Sequence, residues 1–147
     1  FAVDHRPALR KELSRADRVL FLADNAGETV FDRVLIEALD LPVTYAVKQR
    51  PALHDATRED ALAAGLDRVA TVMDNGTDAV GTILSLCSSA FRKVFDSAPL
   101  VLAKGQANYE TLSDAGSRVF CLLQVKCPVI AGDVGVPAGS IVVRRSG

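Results

Sequence analysis

The feature that most constrains the fold is the segment of residues 18–28, RVLFLADNAGE, in which a short apolar run ends in polar residues. The run at residues 19–23 is short enough to be a buried strand. Asp24 and Asn25 follow where that strand should end, and Gly27 permits a tight turn before a helical pattern begins. Ligands bind at the carboxyl ends of parallel strands, so the segment also predicts a binding site. Asp and Asn equally suit turns and helix caps, and that structural interpretation stays open.

The rest of the chain alternates strand-like and helix-like segments about every 20–30 residues. We predict strands at residues 18–24, 43–47, 69–73, 100–103, 119–125 and 141–144, the last of them at an edge of the sheet. We predict helices at residues 4–16, 27–39, 58–64, 80–95 and 109–115. In the helix at 27–39, one apolar row contains Val30 and Val34 and the adjacent row contains Phe31 and Leu35. This order predicts an α/β fold, a doubly wound, mainly parallel sheet with helices on both faces.

The composition limits the class of protein. With 147 residues the chain suits a single domain with one core, and 49% hydrophobic and 24% charged residues are typical of a globular protein. A net charge of -1 argues against nucleic acid as a partner, and no apolar run is long enough to cross a membrane. Cys87, Cys121 and Cys127 form no CxxC pair, which favours reduced thiols in a cytoplasmic protein. No glycine-rich dinucleotide or P-loop motif follows any predicted strand.

Polar residues follow every predicted parallel strand, and in a parallel sheet these positions share one edge. Carboxylates and amides at this edge suit a divalent cation, and lysines suit a phosphate. This pairing is typical of phosphoryl chemistry, although an unspecified α/β binding domain is equally compatible with it. Glu28 and Glu110 can also be first-turn helix charges, and Tyr109 can be a packing residue. The residues that follow the strands are Asp24, Asn25, Asp55, Asp74, Asn75, Asp78, Lys104, Gln106, Asn108 and Lys126.

Several of these residues belong to motifs that resemble the damage-control phosphatase family, once called domain of unknown function eighty-nine. The motifs occur in the family's order over about residues 15–145. They are DNAGE with Phe31-Asp32, Asp55-Ala56-Thr57, Gly76, Gly81, KGQANYETL from Lys104, and Lys126-Cys127-Pro128. KGQANYETL is the most specific of them, whereas DNAGE alone is a weak signal.

The resemblance implies a metal-dependent phosphatase that hydrolyses small phosphorylated metabolites, such as sugar phosphates or damaged phosphoesters. It implies that Asp24, Asn25 and Asp55 are the ligands of a divalent metal ion (Mg, Mn, Co or Ni). The same three residues and Lys126 are the catalytic residues that it implies. The substrate contacts it implies are Gln106, Ala107, Asn108, Tyr109, Glu110 and Lys126, to which we add Lys104 on grounds of charge. Further candidates are Glu28, Thr57 and Gly76.

Two other functions remain open. Some members of the family are described as S-adenosylmethionine-dependent carboxyl methyltransferases, in which Glu28 and Asp55 would contact the cofactor. The absence of a glycine-rich loop after the first strand counts against this, and a non-catalytic binding module is the third possibility. His54 stands where the family usually has asparagine, which puts the surroundings of Asp55 in doubt. The family's N-terminal helical region is expected to precede Phe1, so we predict that apolar residues at the start of the chain form a surface that binds that region or a second copy.

Overall fold

The computed structural model describes residues 1–147 and contains one seven-stranded sheet. The strands are β1 (Val3–Asp4), β2 (Val19–Leu22), β3 (Val43–Val47), β4 (Thr71–Asp74), β5 (Val101–Lys104), β6 (Val119–Gln124) and β7 (Ile141–Arg145). The helices are α1 (Arg6–Leu13), α2 (Thr29–Leu39), α3 (Arg58–Ala63), α4 (Ser89–Ser97), α5 (Gln106–Leu112) and α6 (Pro128–Val134). Short 3-10 turns lie at Ala26–Glu28, Leu66–Arg68 and Leu84–Leu86.

The strand order creates a crevice beside β2. The order is β1-β7-β6-β5-β2-β3-β4, and every pair is parallel except β6 with β7. The chain runs outward from β2 through β3 to β4, then returns to the other side of β2 with β5. Leu22 pairs with Ala103 at the carboxyl ends of β2 and β5. The direction of winding therefore changes between these two strands, which is where open α/β sheets bind ligands.

The core confirms the predicted layers on both faces of the sheet. Leu20 and Leu22 of β2 pack into one apolar cluster, with Phe91 of α4. Val19 and Phe21, which alternate with them, pack into a second cluster on the opposite face. Because successive side chains of a strand point to opposite faces, a strand buried on both sides is uniformly apolar. The uniform VLFL of β2 follows from that double burial.

The predicted helix at residues 80–95 is wrong in its first half. Residues 75–83 form an irregular loop, and α4 starts only at Ser89, where the Ser88 hydroxyl accepts a hydrogen bond from the Phe91 amide. Gly81 has a φ of 74°, a left-handed conformation that ends any helical run. The apolar residues of this stretch therefore line a loop near the sheet edge.

The carboxyl-terminal segment also differs from the prediction. Helix α6 was not predicted; it begins at Pro128, a residue suited to a first turn, and ends at Gly135 with a φ of 78°. The predicted edge position of β7 is wrong, because β7 lies between β6 and the two-residue strand β1. Asp4, predicted as the first residue of a helix, forms that short strand with Val3 instead.

Helix α2 begins two residues later than predicted, at Thr29, and ends at Leu39 as predicted. Its apolar rows divide: Val30, Phe31 and Val34 are 58%, 74% and 62% exposed, whereas Leu35 and Leu39 pack partly buried against the core. The fully buried residues of the helix are Thr29, Asp32 and Ile36. A largely polar row with Ile36 therefore faces the sheet.

Helix α5 begins at Gln106 rather than at residue 109, so the KGQANYETL motif is a strand end and a helix in direct succession. Cys87 and Cys121 are buried, Cys127 is partly buried, and all three are free thiols. None of the helices is both long and apolar enough to cross a membrane.

Candidate active site

Two segments that are distant in sequence bring Asp24, Asn25 and Asp55 together. The Ala56 amide donates to the carbonyl of Asp24 at 2.8 Å, and the Ala26 amide donates to the carbonyl of His54 at 2.8 Å. Asn25 and Asp55 form an isolated antiparallel bridge between these two contacts. The loop after β3 is thus fastened to the loop after β2, and the three residues predicted as metal ligands are neighbours. His54 contributes its carbonyl to this contact, and its side chain is exposed.

Gly105 fixes the place of the Asp24 carboxylate. A Cβ atom on residue 105 would lie 2.1 Å from Cγ of Asp24 and 2.2 Å from Oδ2. Gly105 also has φ 86° and ψ 162°, a conformation that is essentially restricted to glycine. The carboxylate therefore occupies the space that any other side chain at residue 105 would fill, between the ends of β2 and β5.

The side chain of Asn25 is oriented by two carboxylates. Its Nδ2 donates to Oδ2 of Asp24 at 2.9 Å and to Oε1 of Glu28 at 2.8 Å. Both amide protons are therefore used, which leaves Oδ1 of Asn25 as an acceptor with no partner in the structure. Glu28, a further candidate in the sequence, thus contacts the predicted ligand set through Asn25.

Lys104 lies in a buried network of charges. Its ammonium forms a salt bridge with Oε2 of Glu28 and another with Oδ1 of Asp32 at 2.8 Å. The other oxygen of Asp32 accepts a hydrogen bond from the Tyr45 hydroxyl at 2.7 Å. Burial lowers the pKa of Lys104, but the hydrogen bonds that its ammonium donates to Asp32 and Glu28 outweigh this effect, so that the pKa is raised. Lys104, predicted to contact substrate, is therefore already bound by two carboxylates.

Lys126 differs from Lys104 in having no carboxylate partner. It is exposed, and its position is set by its backbone amide, which donates to Oε1 of Gln106 at 2.8 Å. Burial raises the pKa of Asp24 to about 6, with the charge of Glu28 adding to the rise and the charge of Lys126 opposing it. Lys126 is thus a cation close enough to act on Asp24, and no salt bridge neutralises it.

Asp55 has a buried partner that the sequence interpretation missed. The ammonium of Lys48 lies 3.6 Å from Oδ2 of Asp55, with only 6% of the Lys48 side chain exposed. The same ammonium donates to the carbonyl of Ala79 at 2.7 Å and to the carbonyl of Gly81. Burial lowers the pKa of Lys48, and the charge of Asp55 opposes that effect. The available signal was its position, because Lys48 directly follows β3 as Lys126 closely follows β6.

The predicted substrate residues of α5 have different surroundings. Asn108 is buried, donates to the carbonyls of Ala23 at 3.1 Å and Lys104 at 2.8 Å, and accepts from the Thr82 hydroxyl at 2.7 Å. The side-chain amide of Asn108 thereby ties β2, β5 and the loop at residues 75–83 together. Its predicted contact with substrate stays a prediction, and its side chain is already fully used in the structure.

The neighbours of Asn108 separate into a core residue and residues nearer the surface. Tyr109 is buried, and its hydroxyl donates to Asp133 of α6. Gln106 is partly exposed at the start of α5 and donates to Glu110 at 2.8 Å. The backbone carbonyl of Ala107 lies against Gly81, where a Cβ atom would come within 2.5 Å of it. Gln106 is the member of this group that lines the cavity described below.

Thr57 and Gly76 have structural partners. Thr57 caps α3 through a reciprocal arrangement with Asp60, in which the Thr57 amide donates to the Asp60 carboxylate at 2.8 Å. Gly76 has a φ of 80°, and a Cβ atom there would lie 2.4 Å from Cβ of Ser88. These contacts account for both residues without a ligand.

A cavity of about 560 Å³ opens beside Asp24. One end is polar, with Asp24, Glu28, Lys104, Gln106 and Lys126. The rest of the cavity runs over α1, β6 and β7, where apolar side chains are joined by Arg6 and Arg10 of α1. Its apolar residues include Leu9, Leu13, Leu122, Ile141 and Val143. Its volume lies within the usual range for small-molecule sites. The predicted catalytic residues Asp24 and Lys126 both lie at its polar end.

The donor atoms fit a hard divalent cation with incomplete protein coordination. Asp24 and Asp55 offer carboxylate oxygens, and Asn25 offers its unpartnered Oδ1. No three His, Cys, Asp or Glu side chains cluster as a metal site, so a cation here would complete its coordination with water or substrate oxygens. Mg²⁺ and Mn²⁺ commonly bind in this way, through one or two carboxylates and several other oxygens. The set does not fit tetrahedral zinc, which prefers cysteine and histidine.

Sequence comparison identifies a family and several relatives of this chain. The sequence model of the damage-control phosphatase ARMT1-like domain matches residues 1–142. The damage-control phosphatase PH1575 of Pyrococcus horikoshii is 41% identical over 149 aligned residues, which cover 98% of this chain and 52% of the relative. A damage-control phosphatase of Archaeoglobus fulgidus is 40% identical, with 91% of this chain and 48% of the relative covered. The chain thus spans about half the length of these curated relatives.

A solved structure agrees with the sequence comparisons. The crystal structure of a DUF89 family protein from Pyrococcus horikoshii superposes with a TM-score of 0.94 at 41% identity, over 99% of this chain and 53% of the other. Because the family model covers nearly the whole chain and the fold agrees throughout, the chain belongs to the damage-control phosphatase family with an ARMT1-like domain.

Proposed function

We propose that this chain carries the catalytic residues of a metal-dependent phosphatase that hydrolyses small phosphorylated metabolites. Relatives named damage-control phosphatase support the phosphatase part of this proposal. The observation that carries it here is that Asp24, enclosed by Gly105, lines the same cavity as Lys126, a cation that no carboxylate neutralises. An anion-binding group beside an oxygen-donor set is the equipment that phosphoryl transfer needs.

The charges of the site support an anionic substrate together with a cation. Asp24, Glu28, Asp32 and Asp55 face only three lysines, Lys48, Lys104 and Lys126. Glu28 and Asp32 engage Lys104, and Asp55 lies beside Lys48, so Asp24 has no salt bridge of its own. A bound cation would balance the charge of the Asp24 carboxylate, and Lys126 would then be free to bind a phosphate.

The roles of the residues follow from these contacts. Asp24, Asp55 and Oδ1 of Asn25 would hold the cation, which supplies Lewis-acid polarisation of a phosphoryl oxygen and acidifies a bound water. Lys126 would bind the phosphoryl oxygens and stabilise the negative charge that builds up on them. Gln106 would keep Lys126 in place through the hydrogen bond to its backbone. Lys104 would hold Glu28, and Glu28 in turn would orient the Asn25 amide.

The cavity supports a small substrate. About 560 Å³ accommodates a phosphorylated sugar or a metabolite of similar size, with its phosphate at the polar end. Sugar phosphates and damaged phosphoesters are therefore the substrates that we propose to test first.

The test is release of inorganic phosphate from a generic phosphomonoester and from a panel of sugar phosphates. The metal-stripped chain should be inactive, and Mn²⁺, Mg²⁺, Co²⁺ or Ni²⁺ should restore activity. Asp24→Asn, which keeps the shape of the side chain, should abolish it. Metal-independent hydrolysis, or full activity of Asp24→Asn, would contradict the proposal. S-adenosylmethionine consumption by the same samples tests the methyltransferase alternative.

A further inference from the structure

Lys48 is a buried cation with two hydrogen bonds to carbonyl groups and one carboxylate at ion-pair distance. Its ammonium donates to the carbonyl of Ala79 at 2.7 Å and to the carbonyl of Gly81, and it lies 3.6 Å from Oδ2 of Asp55. The side chains of Lys48 and Asp55 are 6% and 14% exposed. A lysine is seldom buried unless it is paired, and its two carbonyl partners carry no full charge to balance it. Asp55 is therefore the counter-charge of Lys48.

The backbone at both ends of this pair is fixed. The Lys48 amide donates to the carbonyl of Ala56 at 2.9 Å, and Lys48 forms a parallel bridge with Thr57. The two residues that follow Asp55 are thereby tied to the end of β3. The Lys48 ammonium cannot leave Asp55 without a rotamer change that also breaks its two carbonyl contacts.

The loop that supplies those carbonyls is fixed as well. The Thr82 amide donates to the Thr111 hydroxyl at 2.9 Å, and the Thr82 hydroxyl donates to Asn108 at 2.7 Å. Gly81 packs against the carbonyl of Ala107. Lys48 is therefore a rigid connection between this loop and Asp55, and the carboxylate is held by a charge that cannot easily move away.

We propose that Lys48 is a positioning residue that serves as the internal counter-ion of Asp55 and competes with a divalent cation for that carboxylate. Lys48 holds one oxygen of Asp55 and leaves the other for the site. When the cation is absent, Lys48 compensates the charge of Asp55, which the Asn25–Asp55 bridge places next to Asp24. When the cation is present, the like charges of Lys48 and the cation oppose each other, so Lys48 limits the affinity. The competition rests on the proposed function, whereas the pairing of Lys48 with Asp55 does not.

The pairing is tested in metal-free protein by a double-mutant cycle. The free energy of unfolding is measured in urea with EDTA for the parent, Lys48→Met, Asp55→Asn and the double variant. Methionine keeps most of the length of lysine and removes its charge. We expect Lys48→Met to cost clearly less stability when Asp55→Asn is already present, because the remaining loss then comes only from the two carbonyl contacts. Additive losses would show that the two residues are not coupled and would overturn the proposal.

The competition is tested by calorimetric titration with Mn²⁺ and by the Mn²⁺-induced rise in Tm. Removing a positive charge next to a cation ligand should tighten Mn²⁺ binding by Lys48→Met on the order of tenfold. The same variant should show a larger Mn²⁺-induced rise in Tm than the parent, although its metal-free Tm is lower. Unchanged or weaker Mn²⁺ binding by Lys48→Met would overturn the competition.

Two controls separate this role from a purely structural one. Thr82→Val removes the hydroxyl contact with Asn108 and loosens the same loop without changing a charge, so it should lower Tm equally with and without Mn²⁺. Lys93→Met makes the same chemical change on the exposed face of α4 and should alter neither the Mn²⁺ affinity nor the Mn²⁺-induced rise in Tm. A parent chain that fails to bind Mn²⁺ would refute the proposed metal site and the competition with it. The EDTA cycle would still show whether Lys48 and Asp55 are coupled.

Discussion

Asp24 and Gly105 exclude each other's side chains, since a Cβ atom on residue 105 would lie 2.1 Å from Cγ of Asp24. The two residues end neighbouring parallel strands, Asp24 shortly after β2 and Gly105 directly after β5. The KGQANYETL motif thus has glycine at residue 105 because the carboxylate of Asp24, in the DNAGE motif, fills the space of a side chain there. The two motifs meet at the point where the winding of the sheet reverses.

This contact predicts that Gly105→Ala is harmful in two ways. The backbone conformation of Gly105 costs another residue about 1–3 kcal/mol, and the new methyl group must displace the Asp24 carboxylate. We expect a lower free energy of unfolding in urea and at least tenfold weaker Mn²⁺ binding. Gly132→Ala is the matched control, because a Cβ atom there meets nothing within 4 Å and the position is helical. That variant should be as stable as the parent or slightly more so. Normal Mn²⁺ affinity in Gly105→Ala would show that Asp24 can shift at no functional cost.

The two lysines of the site should respond differently to the same substitution. Lys126→Met should lower phosphatase turnover about a hundredfold through loss of a charge that stabilises the transition state, with stability nearly unchanged. Lys104→Met should lower stability by about 3 kcal/mol, because it leaves the buried Asp32 without its cation. Steady-state kinetics and urea denaturation of both variants make the comparison. If Lys126→Met loses stability and Mn²⁺ binding together with activity, Lys126 has a structural role.

The exposed apolar face of α2 predicts self-association. Val30, Phe31 and Val34 are each more than half exposed and lie next to one another on the helix. Burying such a patch is favourable, so we expect the chain to form dimers or larger species at high concentration. Sedimentation velocity over a concentration series measures this, and Phe31→Ser with Val34→Ser should shift the distribution toward monomer. A monomeric parent at the highest concentration would contradict the prediction. Glu37→Ser, on the same helix but polar, controls for the loss of a side chain.

Thr57 should affect stability without affecting catalysis. Thr57→Ala removes one half of the reciprocal cap of α3 and should cost about 1 kcal/mol in urea denaturation. Thr57→Ser keeps the hydroxyl and should recover most of that loss. Turnover and substrate affinity should be the same in all three proteins. A change in turnover for Thr57→Ala that exceeds its loss of folded protein would return Thr57 to the list of active-site candidates.

The sequence predicted the sheet well because its central strands are buried on both faces. The predicted range of β3 agrees with the structure, and the order of strands and polar strand ends placed Asp24, Asn25 and Asp55 at one edge. The buried face of α2 could not be predicted, because periodicity alone cannot distinguish an apolar row in the core from an exposed one. Asp32 faces inward since Tyr45 and Lys104, distant in sequence, supply its partners.

The other errors have the same origin. The first half of the helix predicted from residue 80 is absent because Gly81 lies against the carbonyl of Ala107 and its own carbonyl accepts a hydrogen bond from the Lys48 ammonium. Both contacts depend on the folded sheet. Lys48 itself was accessible to sequence reasoning, since it follows an apolar strand as directly as the lysines that we did identify.

The position of β1 has a consequence for the order in which the cavity forms during synthesis. The His5 amide donates to the carbonyl of Val143, so α1 is held in place by a strand that the ribosome makes about 140 residues later. Asp24 and Gly105 can meet as soon as β5 has emerged, but the apolar wall formed by α1 must wait for β7. The nascent chain can therefore bring the predicted ligand residues together before α1 covers the cavity, and a translating intermediate stalled near residue 125 would expose the apolar side of α1 to chaperones.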